Sequence, residues 1–200
     1  MSAQENKSNS VYTIVDIKQR SDEWYRLRNN RVTGSVAHYL KNYPVEYVIA
    51  KNCGDGPDGY VSDAMLRGRR LEPIGINRFA EEECLNIDSI GFVLSSIHKD
   101  AGFSPDGVIF DKDGTIKTIV EHKAFARPHH FSCYRTVDEK IIYQIQFGMF
   151  VTGAEDAYLV LYNPDIYDED EQLLYRHMKK DNSIQQLFKK RFKQYEEKRL

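Results

Sequence analysis

No apolar run in the 200-residue chain approaches the ~20 residues of a membrane-spanning helix. The polar start at residues 1–9 lacks the apolar stretch of a signal peptide. The expectation is a soluble, intracellular protein. Cysteine is scarce: Cys53, Cys84 and Cys133 are odd in number, far apart and without CxxC spacing, which argues against a disulfide framework or a zinc site. Charge of one sign is lacking too. A net charge of −2 does not suit a protein that coats nucleic acid by bulk attraction. Repeats, low-complexity stretches and linkers are absent, so residues 11–200 read as one domain behind a flexible tail at 1–10. A hydrophobic content of 41% is enough for a core.

What the chain does have is a hairpin that gathers charge at one point. Phe103-Ser-Pro-Asp-Gly-Val-Ile-Phe110 and Thr115-Ile-Lys-Thr-Ile-Val-Glu-His-Lys123 flank Asp113-Gly114, a dipeptide that favours two-residue turns. That turn pairs Lys112 with Thr115 and, counting outward, Asp106 with Glu121, with side-chain roots about 5 Å apart. Alternation puts Lys123 on the face of Glu121 and aims His122 away. Opposed carboxylates destabilise a sheet unless something neutralises them, and a hard divalent cation such as Mg²⁺ does so with oxygen ligands. A surface hairpin with a solvated acidic pair also accounts for this stretch taken alone. The flanking strands read as largely buried, however, and acids that end buried strands need a reason.

The remaining pattern alternates helices and strands. Helices are expected at 21–28 with Ser21 as cap, after Ser35 as a second cap, at 45–51, at 62–84 with a break at Pro73, at 137–153 and at 183–199. Residues 54–59 read as a loop, and strands are expected at 89–97, 101–110, 115–124 and 157–162, with 172–178 as an edge strand. This order describes an α/β (α+β) fold, a mixed central sheet flanked by helices. The acidic stretch 165–171 precedes a basic tail at 176–200, which reads as a solvated helical face or, less simply, a nucleic-acid contact.

Four segments together carry a resemblance. They are Glu23-Trp-Tyr-Arg-Leu-Arg28 with Val32-Thr-Gly-Ser35; Arg67-Gly-Arg-Arg-Leu-Glu72; Ser104-Pro-Asp-Gly107 with Glu121-His-Lys123; and Tyr143-Gln-Ile-Gln146 before Met149-Phe-Val-Thr152. In order and spacing, residues 20–162 resemble the bacteriophage lambda exonuclease or YqaJ-type viral recombination exonucleases, members of the PD…(D/E)xK superfamily with a restriction-endonuclease-like fold. The resemblance implies a Mg²⁺-dependent exodeoxyribonuclease, with Mn²⁺ as a substitute, that degrades the 5′ strand of linear duplex DNA ends and leaves 3′ overhangs for recombination. It implies Asp106, Glu121 and Glu72 as metal ligands, Lys123 as the residue that positions or activates water, Gln144 as a polar helper, and Arg28 with Ser35 as the 5′-phosphate site. A single-strand annealing protein, a homotrimer and the cytoplasm of an infected cell are implied as partners and setting.

Other readings remain beside these. Gln144 also suits a core-satisfying amide, Arg28 a surface arginine, and Trp24 a core anchor or partner surface rather than a base-stacking residue. The chain departs from the family in placing His122 where an apolar residue is usual and in a short 41–61 segment. An endonuclease on the same core, or a DNA-binding module without catalysis, is the alternative function.

Overall fold

The computed structural model of the protein describes residues 11–52 and 61–199, so the expected tail at 1–10 and loop at 54–59 lie outside the described residues. In order come β1 (Tyr12–Val15), α1 (Asp22–Arg28), α2 (Val45–Asn52), α3 (Asp63–Glu82), β2 (Phe92–Ser95), β3 (Gly102–Phe103), β4 (Gly107–Phe110) and β5 (Ile116–Lys123). Then follow α4 (Arg127–Arg135), α5 (Glu139–Thr152), β6 (Asp156–Tyr162), β7 (Leu173–Lys179) and α6 (Asn182–Glu197), with 3₁₀ segments at Gly34–Lys41 and Glu169–Glu171.

The central sheet has the order β4-β5-β6-β7 and is mixed: β5 and β6 are parallel, the other pairs antiparallel. A parallel pair needs a long crossover, and α4 and α5 supply it. One face of the sheet carries Val120, Val160 and Tyr162 and packs on Leu71 and Phe79 of α3. The other face carries Ile119, Leu159 and Leu161 and packs on α5. The α5 stripe of Ile141, Ile145, Met149 and Thr152 is buried, but so are Tyr143, Phe147 and Val151. A helix buried nearly all round needs partners on every side. A second, antiparallel sheet of β1-β2-β3 provides one of them, and Phe188 and Phe192 of α6 pack their rings against Phe147 and Phe150 to provide another.

Several local expectations are corrected. Residues 101–110 are not one strand. β3 belongs to the smaller sheet and β4 to the larger, because Pro105 has no N–H for a ladder and restricts Ser104 before it. The helix at 62–84 does not break at Pro73, whose exposed position lets water take up the missing bond. Ser35 is not a cap: Thr33 holds that position, and Ser35 lies inside the 3₁₀ segment.

The hairpin turn is also longer than two residues. Gly114 N–H donates to Asp111 O at 3.0 Å, Gly114 has φ +80°, and Phe110 faces Ile116. Lys117 is then the extra residue of a bulge, which restores the pairs Ile109↔Thr118 and Gly107↔Val120. One step further, Asp106 falls opposite Glu121 as the sequence implies.

Two glycines of α3 have contrasting surroundings. At Gly75 a Cβ would lie 2.5 Å from His122 Nε2 and 2.7 Å from Tyr162 Cβ, so helix and sheet touch there. Gly75→Ala is expected to lose stability: overpacking costs about 1–3 kcal/mol, against roughly 1 kcal/mol gained in helix propensity. A thermal melt should read a net fall of up to several degrees. At Gly68 no atom of the described residues lies within 4 Å of a Cβ, so this glycine costs the helix about 1 kcal/mol with no packing gain.

Candidate active site

The carboxyl end of β5, the 104–106 crossover, α1, α3 and α5 enclose a cleft of about 730 Å³. Asp106 is half-buried where the chain passes from one sheet to the other. Polar bonds pin that crossover. Trp24 Nε1 donates to Ser104 Oγ at 2.9 Å, Ser104 Oγ donates to Gly91 O at 2.9 Å, and Gln19 Nε2 donates to Ile90 O at 3.0 Å and Pro105 O at 2.9 Å. The His122 amide donates to Asp106 Oδ2 at 2.7 Å, which ties the carboxylate to β5.

Glu121 is buried. Its Oε1 accepts from the Lys123 ammonium and from Gln144 Nε2 at 2.5 Å, while its Oε2 has no hydrogen-bond partner among the described residues. Gln144 therefore faces inward and has a specific partner. Glu72, half-buried on α3, faces the same cleft and accepts from Arg20 Nη2 at 2.8 Å. Arg20 does this from a left-handed backbone, φ 67°, a conformation uncommon outside glycine.

Electrostatics show a site short of positive charge. Burial, and then the charge of Glu121, push the Asp106 carboxyl up to about 7. Burial and the charge of Asp106 raise Glu72 as well, against the pull of Arg20. For Lys123, burial alone would lower the ammonium, but the carboxylates of Glu121, Asp106 and Glu72 outweigh it and hold the group above its ordinary value. His122 is driven down to about 3, first by burial and then by Lys123, so it stays neutral behind the site against Gly75.

The donor set fits a hard divalent cation. Among the described residues Glu121 Oε2 is a buried acceptor with nothing to accept from, and burial with the charge of Glu121 favours the protonated form of Asp106, a proton that a cation would replace. Among the described residues no group of three or more His, Cys, Asp or Glu side chains forms a ready cage. Mg²⁺ is characteristically held by one or two carboxylates, with water and substrate phosphate as the rest.

At the other side of the cleft, Arg28 Nη2 donates to Ser35 Oγ at 3.1 Å, and the Arg28 guanidinium lies 4.3 Å from the centre of the Trp24 ring. Trp24 is thus a half-buried part of the cleft wall, not a core anchor. Sequence reasoning missed Gln19, Arg20, Ser104 and Arg69, all of which line the cleft. Arg69 and Ser104 had a signal, since they lie in the Arg67–Glu72 and Ser104–Gly107 segments.

A carboxylate before one strand, Glu-x-Lys on the next, and a glutamine reaching over from a covering helix are thus gathered on a mixed sheet flanked by helices, an α+β fold of the restriction-endonuclease-like type. The chain belongs to the YqaJ-like viral recombinase domain family, whose model matches residues 23–155. Among solved structures it is similar to an alkaline exonuclease (LHK-Exo) from Laribacter hongkongensis, with TM-score 0.72, 22% identity, and coverage of 89% of this chain and 92% of that one. The same exonuclease in complex with dAMP matches with TM-score 0.72 and 20% identity over 86% and 89% of the two chains. A phage-related exonuclease from Haemophilus somnus 129PT matches with TM-score 0.59 and 14% identity over 84% and 93%. No curated protein matches the chain. Family membership supports a nuclease role.

Proposed function

We propose that the protein is a Mg²⁺-dependent 5′-to-3′ exodeoxyribonuclease that acts on linear duplex ends and leaves 3′ single strands for recombination. The observation that carries this reading is Glu121 Oε2, without a hydrogen-bond partner among the described residues, beside Asp106 and Lys123 in one cleft. Asp106 and Glu121 would hold the metal, with Glu72 within reach once released from Arg20. Bound there, Mg²⁺, or Mn²⁺ in its place, supplies polarisation of the scissile phosphate and a more acidic water. The Lys123 ammonium, kept charged by its carboxylate neighbours, orients the attacking water and offsets charge on the phosphate. Gln144 fixes the Glu121 rotamer by its bond to Oε1.

End-labelled linear duplex and covalently closed circles, each incubated with Mg²⁺, test the reading. Loss of the linear DNA alone is the expected result. Nicking of the circle would favour an endonuclease, and no cleavage of either a binding module.

Arg28 and Ser35 suit a terminal 5′-phosphate, since a guanidinium grips phosphate through paired hydrogen bonds. A 5′-phosphorylated duplex should therefore be degraded faster than a 5′-hydroxyl one. Arg28→Ala should bring the first rate down towards the second. Equal wild-type rates on the two substrates would remove this role from Arg28.

A further inference from the structure

The cleft-facing side of α3 includes Ala64, Met65, Gly68, Arg69 and Glu72. Glu72 belongs to the site described above, and the turns before it have no role there. Gly68 stands mid-helix, and a Cβ at its position would meet open space among the described residues, so their packing does not explain its presence. Its neighbour Arg69 is half-buried yet has no ion pair, hydrogen bond or ring contact among the described residues. Arg20 is engaged with Glu72, Arg67 with Asn163 and Asp165, and Arg78 with Gln172, while Arg70, equally without such a contact among the described residues, is exposed and lies outside the cleft. A wall lowered by a missing side chain, beside an unpaired guanidinium, has the shape and charge that a sugar–phosphate backbone requires. Glycine permits the close approach, and arginine supplies donors in a fork that matches phosphate.

We propose that this face of α3, centred on Gly68 and Arg69, is the track for the strand being degraded, with Arg69 on a phosphate adjoining the one cleaved at Glu72, Asp106 and Glu121. This rests on the exonuclease reading but has its own readouts, taken without cleavage. A labelled 5′-phosphorylated duplex is titrated in EDTA across a NaCl series and followed by fluorescence anisotropy, with thermal melts alongside.

Gly68→Ala should raise Tm by roughly 2–4 °C while weakening duplex binding, and Gly68→Leu should weaken it by about tenfold or more. Stability and affinity moving in opposite directions is not the signature of a structural glycine. Arg69→Gln should reduce the slope of log affinity against log salt by about one phosphate contact, and Arg69→Lys should keep it. Wild-type affinity in both Gly68 variants, or an unchanged slope in Arg69→Gln, would overturn the proposal even in a protein that cleaves linear DNA. If the variants show these binding effects but the wild-type protein cleaves nothing under Mg²⁺, the backbone contact on this face of α3 stands and the exonuclease reading falls.

Discussion

Asp106→Asn and Glu121→Gln should each cut Mg²⁺-dependent cleavage by about three orders of magnitude. The ion's contribution to such reactions is several kcal/mol, and each ~1.4 kcal/mol is a factor of ten. The fold should survive, and for Asp106→Asn the metal-free protein should become more stable. In the wild type the folded state holds the Asp106 proton up to about pH 7, whereas an unfolded aspartate releases it near pH 4. Across that window the native state binds more protons than the unfolded chain, so stability falls as pH rises. Asparagine carries no such penalty. Its gain in Tm should be full at pH 8 and vanish towards pH 4. Mg²⁺ should raise the Tm of the wild type but not of Asp106→Asn, because a ligand stabilises only the state that binds it. Metal affinity should also weaken below about pH 7, where Mg²⁺ must displace the proton. Near wild-type cleavage by either variant would remove both residues from the metal site.

Lys123→Ala should lower turnover by about a hundredfold to a thousandfold, the range for a single charge-stabilising donor, while calorimetry still detects Mg²⁺. The two roles of the lysine separate in a melt. Without metal, its loss leaves the buried Glu121 carboxylate with Gln144 alone, and Tm should fall. With Mg²⁺ a cation faces Glu121 again, and most of that loss should return while activity does not. Metal affinity that collapsed together with the lysine would make Lys123 structural.

The site was more legible in the sequence than the elements that build it. Period-two alternation placed Glu121 and Lys123 on one face and His122 on the other, because strand geometry leaves no freedom there. The pairing of Asp106 with Glu121 came from an assumed two-residue turn. The real turn is longer, and the bulge at Lys117 offsets the difference. Neither feature has a strong local signature, since Asp113-Gly114 suits more than one turn and Lys117 looks like any exposed strand residue. Pro105 was read as part of a motif rather than as the point where the strand changes sheets. The salt bridge from Arg20 and the hydrogen bond from Trp24 arise from tertiary packing across 52 and 80 residues of sequence, and no window of the chain contains them. Helix α4 and strand β1 went unforeseen because neither has a clear apolar period.

Trp24 is joined to both halves of the cleft. Its ring lies under Arg28, and its N–H is bonded to Ser104, two residues before Asp106. The guanidinium proposed to grip a strand end and the carboxylate proposed to face the cut are thus mounted on one indole. Their separation is built into the protein as a gauge, and a nucleotide chain engages both only if its backbone spans that fixed length.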